Sequence, residues 1–198
     1  MSNLLSDLDL AALLCSRVCH DIVSPVGAIA NGLEMMDEED DEEMRQLALE
    51  LVRRSARQAS AKLQFCRLAF GAAGGAGSML DLGEAGDIAR LFVGDEKVKL
   101  DWLAARGMRD RNEVKLLLNL MLLAIAAVPR GGSVRIEASD GLLSAIAEGD
   151  GARLADKTRA VLDRAVQVYY ALRLAEEARF TLAAEVRPGA VMFHAVRQ

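Results

Sequence analysis

Two long stretches of helical periodicity, split by a block of seven consecutive acids, set the first limit on how this chain can fold. From Leu4 to Met36 apolar residues recur three and four apart, at Leu10, Leu13, Leu14, Val18, Ile22, Val26, Ile29, Leu33 and Met36. That spacing marks one face of an α-helix, and Ser6 or Asp7 can cap its start. Asp37-Glu38-Glu39-Asp40-Asp41-Glu42-Glu43 interrupts the stripe. A second stripe follows at Met44, Leu47, Leu51, Ser55, Ala59, Leu63, Cys66 and Phe70, with Arg53, Arg54, Arg57 and Gln58 on the other face. Two such helices around a short polar tip make a helical hairpin. The later acids suit the positive N-terminus of the second helix. With aromatics at only 4% of the chain, so long a hairpin cannot bury its whole stripe against itself. Pairing with a second copy completes a four-helix bundle, so a homodimer is expected.

Gly71-Ala72-Ala73-Gly74-Gly75-Ala76-Gly77-Ser78 is the one clear boundary. It divides the chain into a hairpin over 1–74 and a second domain over 75–198. In the second domain a short helix is expected over Glu84–Phe92 and a strand over Val98–Leu103. A strongly apolar helix over Asn112–Val128 is stopped by Pro129-Arg130-Gly131-Gly132. Paired strands follow at Ser133–Ser139 and Leu142–Ala147, then a turn at Glu148-Gly149-Asp150-Gly151. A helix is expected over Thr158–Ala178. Two closing strands, Phe180–Val186 and Val191–Val196, flank the hairpin turn Arg187-Pro188-Gly189-Ala190. This order lacks the regular strand–helix alternation of a doubly wound sheet and suits a two-layer α/β sandwich. The fold class is α+β.

The 198 residues are 52% apolar and 27% charged, with net charge −5. A folded core is expected. No basic cluster offers itself to phosphates, which argues against nucleic acid as a partner. No uninterrupted apolar run reaches the roughly 18 residues that span a bilayer. The first residues lack the basic region of a signal peptide. Three cysteines, an odd number confined to the first third, suit reduced thiols in the cytoplasm.

Chemistry concentrates at Arg17-Val18-Cys19-His20-Asp21-Ile22-Val23-Ser24-Pro25. A neutral imidazole is nucleophilic near pH 7 and can carry a phosphoryl group as a phosphoramidate. Asp21 directly follows and can fix the tautomer or act as a base. Ser24 lies one helical turn on, at i+4, where it can bond a phosphoryl oxygen or water. Arg17, at i−3, is also near that face. Pro25 removes a backbone donor and can kink the helix so as to present His20.

His20-Asp21-Ile22-Val23-Ser24-Pro25 resembles the H-box of sensor histidine kinases, His-Glu/Asp-x-x-x-Pro, in their dimerisation and phosphotransfer domain. The longer run from Leu14 to Glu34 is similar to that of the ChpT-type histidine phosphotransferases of alphaproteobacteria, a resemblance covering essentially the whole chain. It implies a dimeric hairpin followed by a degenerate kinase ATPase-like domain of the Bergerat type. It also implies a relay in which the receiver aspartate of a hybrid sensor kinase phosphorylates His20. His20 then passes the group to the receiver of a response regulator, in that family a cell-cycle transcription factor. Mg²⁺ is then expected on the receiver, and no cofactor on this chain. Leu116 to Ile125 is similar to a kinase N-box helix, but its magnesium-organising asparagine falls at Leu123, which cannot ligate a hard cation. Glu148-Gly149-Asp150-Gly151 does not fit the adenine-reading Asp-x-Gly-x-Gly spacing, and no Gly-x-Gly loop precedes Val166. ATP binding is therefore not expected, and Asn119 and Gly131-Gly132 read as fold residues. Two rivals remain: a divergent ATP-dependent kinase, and a non-catalytic dimeric adaptor or kinase inhibitor.

Other candidates read as structural. Cys15 and Cys19 are separated by three residues, one more than a haem-attachment pair, and with His20 they lack a fourth ligand for a metal. They are expected to be buried small apolar residues, as is Cys66. Trp102, Tyr169 and Tyr170 are expected to pack the second domain, and His194 has no motif around it.

Overall fold

The structure is a computed structural model that describes residues 6–38, 41–71, 77–94, 97–154 and 163–198. Helix α1 (Asp7–Glu38) and helix α2 (Glu42–Ala69) form the expected hairpin. Asp41 caps α2, accepting a 2.9 Å bond from the Glu43 amide, and Glu42 and Glu43 fill the first turn. The last three acids of the block thus begin the second helix, where the helix dipole favours negative charge, while Asp37 and Glu38 end α1 and the tip expected at 39–40 lies outside the described residues.

Within the chain the hairpin buries only part of its sequence stripes. The α2 residues it buries are mostly small: Ala48, Ser55, Ala59, Ala61 and Ala69, with Phe65 and Cys66. Met44, Leu47, Leu51 and Leu63 of the expected stripe are exposed instead. On α1 the buried residues are Pro25 and Gly32, while Val26 and Leu33 remain exposed. Small residues let the helix axes approach, and Gly32 makes this explicit. A Cβ there would sit 2.6 Å from Val52 Cγ2 and 3.3 Å from the Ala48 carbonyl oxygen. Gly32→Val is expected to cost about 1–3 kcal/mol through overpacking, read as a lower midpoint of urea denaturation.

The second unit is the expected two-layer sandwich. Its main sheet has the order β2-β4-β5-β7-β6, formed by β2 (Val98–Trp102), β4 (Gly132–Ser139), β5 (Leu142–Glu148), β6 (Phe180–Arg187) and β7 (Ala190–Arg197). Only β2 and β4 pair in parallel; the other pairs are antiparallel. Helices α3 (Leu82–Val93), α4 (Arg111–Ala127) and α5 (Asp163–Ala178) make the other layer. α4 is the centre of the core: every residue from Glu113 to Ala124 is buried. Val134, Ile136, Ala145, Ala147, Val191 and Ala195 meet it from the sheet.

Two short strands, β1 (Met79–Asp81) and β3 (Met108–Asp110), pair with each other and were not foreseen. Three residues are too few to show an alternation. Each leads into an N-cap: Asp81 accepts from Glu84 N on α3, and Asp110 from Asn112 N on α4. Gly131 holds φ at 99°, and a Cβ there would lie 2.5 Å from the Lys97 carbonyl oxygen, which gives it a role in the fold. The boundary expected at residue 74 and the first turn of the helix expected from Thr158 lie outside the described residues.

The hairpin is not a free appendage. Phe65 is fully buried and stacks on Phe92 of α3 with ring centroids 4.0 Å apart. Phe70 meets the edge of Tyr170 of α5 at 5.9 Å. Phe65 and Ala69 therefore belong to the same apolar cluster as α4 and the sheet.

Candidate functional site

His20 stands on α1 between two turns of continuous helix, and its side chain is 76% exposed. Asp21 beside it is largely covered; its Oδ1 lies 3.4 Å from His20 Nδ1 and its Oδ2 lies 3.4 Å from Arg17 Nε. The carboxylate is thus shared between the imidazole and a guanidinium one turn back. At 3.4 Å both contacts are longer than strong charge-assisted bonds. An Nδ1–H turned to Asp21 leaves the lone pair on Nε2, the nitrogen remote from the carboxylate. Ser24 is exposed one turn further along α1, and Pro25 behind it is buried against the hairpin. The helix carries the proline without ending.

Cys66 on α2 is near enough to this site to feel its charges. Burial pushes its thiol up to about 11, and Asp21 adds to the rise while Arg17 and Lys62 oppose it. Cys66 therefore lies among the charges flanking His20, as a neutral thiol in the hairpin core. Its burial matches expectation.

Cys15 and Cys19 do not match: both are exposed. The reason is geometric. Ala12, Cys19, Val26 and Leu33 are seven residues apart and all exposed, and Leu8 and Cys15 flank them on the same side. A seven-residue recurrence keeps one seam along a helix, and this seam is turned away from α2. His20 follows Cys19 by about 100° around the helix, which clears it of the seam. By length and composition α1 is also apolar enough to cross a membrane, with mean hydropathy 1.3 over its most apolar 18 residues.

In the second unit Leu123, where the N-box resemblance would put a kinase metal ligand, is buried in the apolar core. Glu148-Gly149-Asp150-Gly151 is a surface turn in which Asp150 faces Arg130 at 3.6 Å, both exposed. Trp102 is buried, and Tyr170 packs against the core of the second unit while its ring edge also meets Phe70 at the end of the hairpin. Tyr170's hydroxyl is held above the usual tyrosine range by burial and by Glu177. Among the described residues no three His, Cys, Asp or Glu side chains gather in a way that could hold a metal.

One pairing in the site, Arg17 with Asp21, was available from its i, i+4 spacing. Another polar feature had no local signal: Asn119 of α4 and Gln167 of α5 are both buried and hydrogen-bonded to each other across 48 positions of sequence.

A family model for the histidine phosphotransferase C-terminal domain matches residues 82–189. The protein phosphotransferase ChpT of Brucella abortus (strain 2308) is 44% identical over 205 aligned residues, which cover 96% of this chain and 97% of that protein. The chain belongs to the ChpT family of histidine phosphotransferases. A solved bacterial phosphotransferase structure at 1.7 Å superposes on this ChpT-family chain with a TM-score of 0.81 and 42% identity, covering 96% of this chain and 97% of the other. The hairpin and sandwich are thus the family's fold, and phosphotransfer is its activity.

Proposed function

We propose that this ChpT-family protein is a cytoplasmic phosphorelay intermediate, phosphorylated on His20 by one receiver domain and dephosphorylated by another. The observation that carries this reading is the imidazole itself: 76% exposed on a long continuous helix, with Nδ1 facing the Asp21 carboxylate. In the forward step the Nε2 lone pair attacks the phosphorus of a receiver's aspartyl phosphate. The P–N bond forms, the acyl P–O bond breaks and the receiver aspartate leaves as a carboxylate. The phosphorylated ring keeps its proton on Nδ1, where Asp21 offsets the charge. In the second step the carboxylate of a response regulator attacks the same phosphorus and the P–N bond breaks. The donor is a hybrid sensor kinase receiver, and Mg²⁺ is held by the receivers. Charge neutralisation and alignment are most of what such transfer requires.

The chain takes no ATP in this scheme, an inference supported by Leu123 in the place of the metal ligand. The second unit serves as part of the receiver-docking surface. The exposed seam on α1, with Leu33 and Val26 about half exposed and Leu47 of α2 53% exposed, is covered by a second copy in a four-helix bundle.

The test is direct: mix the protein with a phosphorylated receiver and look for acid-labile, base-stable phosphate on this chain. Absence of label on wild type overturns the relay, and label from ATP alone would make the protein a kinase. Asp21→Asn is expected to slow transfer about tenfold, less than a fully engaged base would cost, because the 3.4 Å contact orients the ring only loosely. A change of less than twofold in a single-turnover assay would remove Asp21 from the mechanism.

A further inference from the structure

The apolar core between hairpin and sandwich contains a polar knot. Asn119 is fully buried and Gln167 is 3% exposed. Asn119 Nδ2 donates to the Lys115 carbonyl at 2.7 Å and to the Ala69 carbonyl at 3.3 Å. Its Oδ1 accepts from Gln167 Nε2. Both amide donors and the acceptor are thus used at one point shared by α2, α4 and α5.

Packing alone does not call for this. Polar groups in a core must be desolvated, and an apolar side chain of equal volume would fill the space at no such cost. What hydrogen bonds add is register. The aromatic contacts Phe65–Phe92 and Phe70–Tyr170 can slide, whereas a bond to one carbonyl cannot. The carbonyl chosen is Ala69, the last residue of α2. Gly32 of α1 faces Ala48 and Val52 of α2, and that antiparallel register, followed back along the hairpin, sets His20 opposite the turn around Lys62. The knot therefore grips α2 about two turns, roughly 10 Å along the axis, beyond the level of His20. α5, which it holds from the other side, also touches α1.

We propose that Asn119 and Gln167 are positioning residues for phosphotransfer, holding α5 in register with the end of α2 so that an incoming receiver meets the sandwich and His20 at a set separation. This rests on the relay reading above. The pair touches no reacting atom, so it governs how well the receiver docks and leaves the chemistry of His20 alone.

The experiment compares two phosphate donors on wild type, Asn119→Leu and Gln167→Met. With a phosphorylated receiver, the half-saturating concentration is expected to rise about fivefold or more while the saturating rate stays within about twofold. With phosphoramidate, a small donor that needs no docking, the rate of His20 labelling is expected to stay within about twofold. Gln167→Met keeps side-chain length and carries the test if Asn119→Leu fails to fold. An unchanged half-saturating concentration in a variant with a native circular dichroism melt overturns the proposal. So does a parallel fall in both the receiver and the phosphoramidate rates, which would mark a general loss of structure. Wild type labelled by phosphoramidate but not by a receiver would instead overturn the relay, and the docking role with it.

Discussion

His20→Ala is expected to take up no phosphate from a phosphorylated receiver, and receiver-to-receiver transfer in its presence falls to the uncatalysed background. The protein has one other histidine, His194, and it offers no substitute. Its Nδ1 is buried without a hydrogen-bond partner, and it sits on the seventh strand of the sandwich rather than on the hairpin that carries His20. Because the phosphoryl group is covalently carried, loss of the nucleophile removes the intermediate itself and not merely an orientation effect. His20→Gln separates the roles: it keeps a polar side chain on α1 but cannot form the phosphoramidate. Both variants should melt like wild type, since the side chain is 76% exposed and packs against little. Gel autoradiography with acid and base treatment reads the result, and labelled His20→Ala protein would remove this residue from the centre of the mechanism.

Val26→Glu with Leu33→Glu is expected to convert a dimer into a monomer. Each residue is about half exposed on the chain alone, and they sit seven apart on the seam that faces away from α2. Completing the burial of four such side chains, two from each copy, contributes on the order of a few kcal/mol. Replacing them with carboxylates reverses that gain and adds the cost of desolvating unpaired charges. The dissociation constant is therefore expected to rise about a thousandfold or more, at about 1.4 kcal/mol per decade. Multi-angle light scattering at micromolar concentration measures it. A wild type that runs as a monomer contradicts the bundle; a double variant that stays dimeric places the interface elsewhere. Partition of wild type onto lipid vesicles would assign the apolar seam to a membrane instead, as the hydropathy of α1 alone allows.

Element by element, the fold was legible wherever a pattern ran for more than about one turn or two residue pairs. α4 and the β4–β5 and β6–β7 hairpins begin and end within two residues of where periodicity and breakers place them. β1 and β3 escaped because three residues carry no period. Burial was less legible than helicity. Leu47, Leu51, Val26 and Leu33 lie on stripes that the hairpin was not expected to bury alone, and within the chain it closes on Gly32, Ala48, Ser55 and Ala59, because close axes leave no room for large side chains. Cys15 and Cys19 were misplaced for the same reason: a small apolar residue suits either face, and only the rotation of α1 against α2 selects one.

The sequence by itself determined the local chemistry and the identities of the elements. A histidine followed by an acid, on a helix that contains one proline, is complete within six residues, and helix and strand periods are likewise local. Tertiary structure alone decided which face of α1 meets α2, that the end of α2 is built into the core of the sandwich, and that Asn119 ties three helices together through Ala69 and Gln167. Those facts depend on side-chain volumes and hydrogen bonds between residues dozens of positions apart. No local pattern encodes them, because the energy that fixes them arises only when the elements pack.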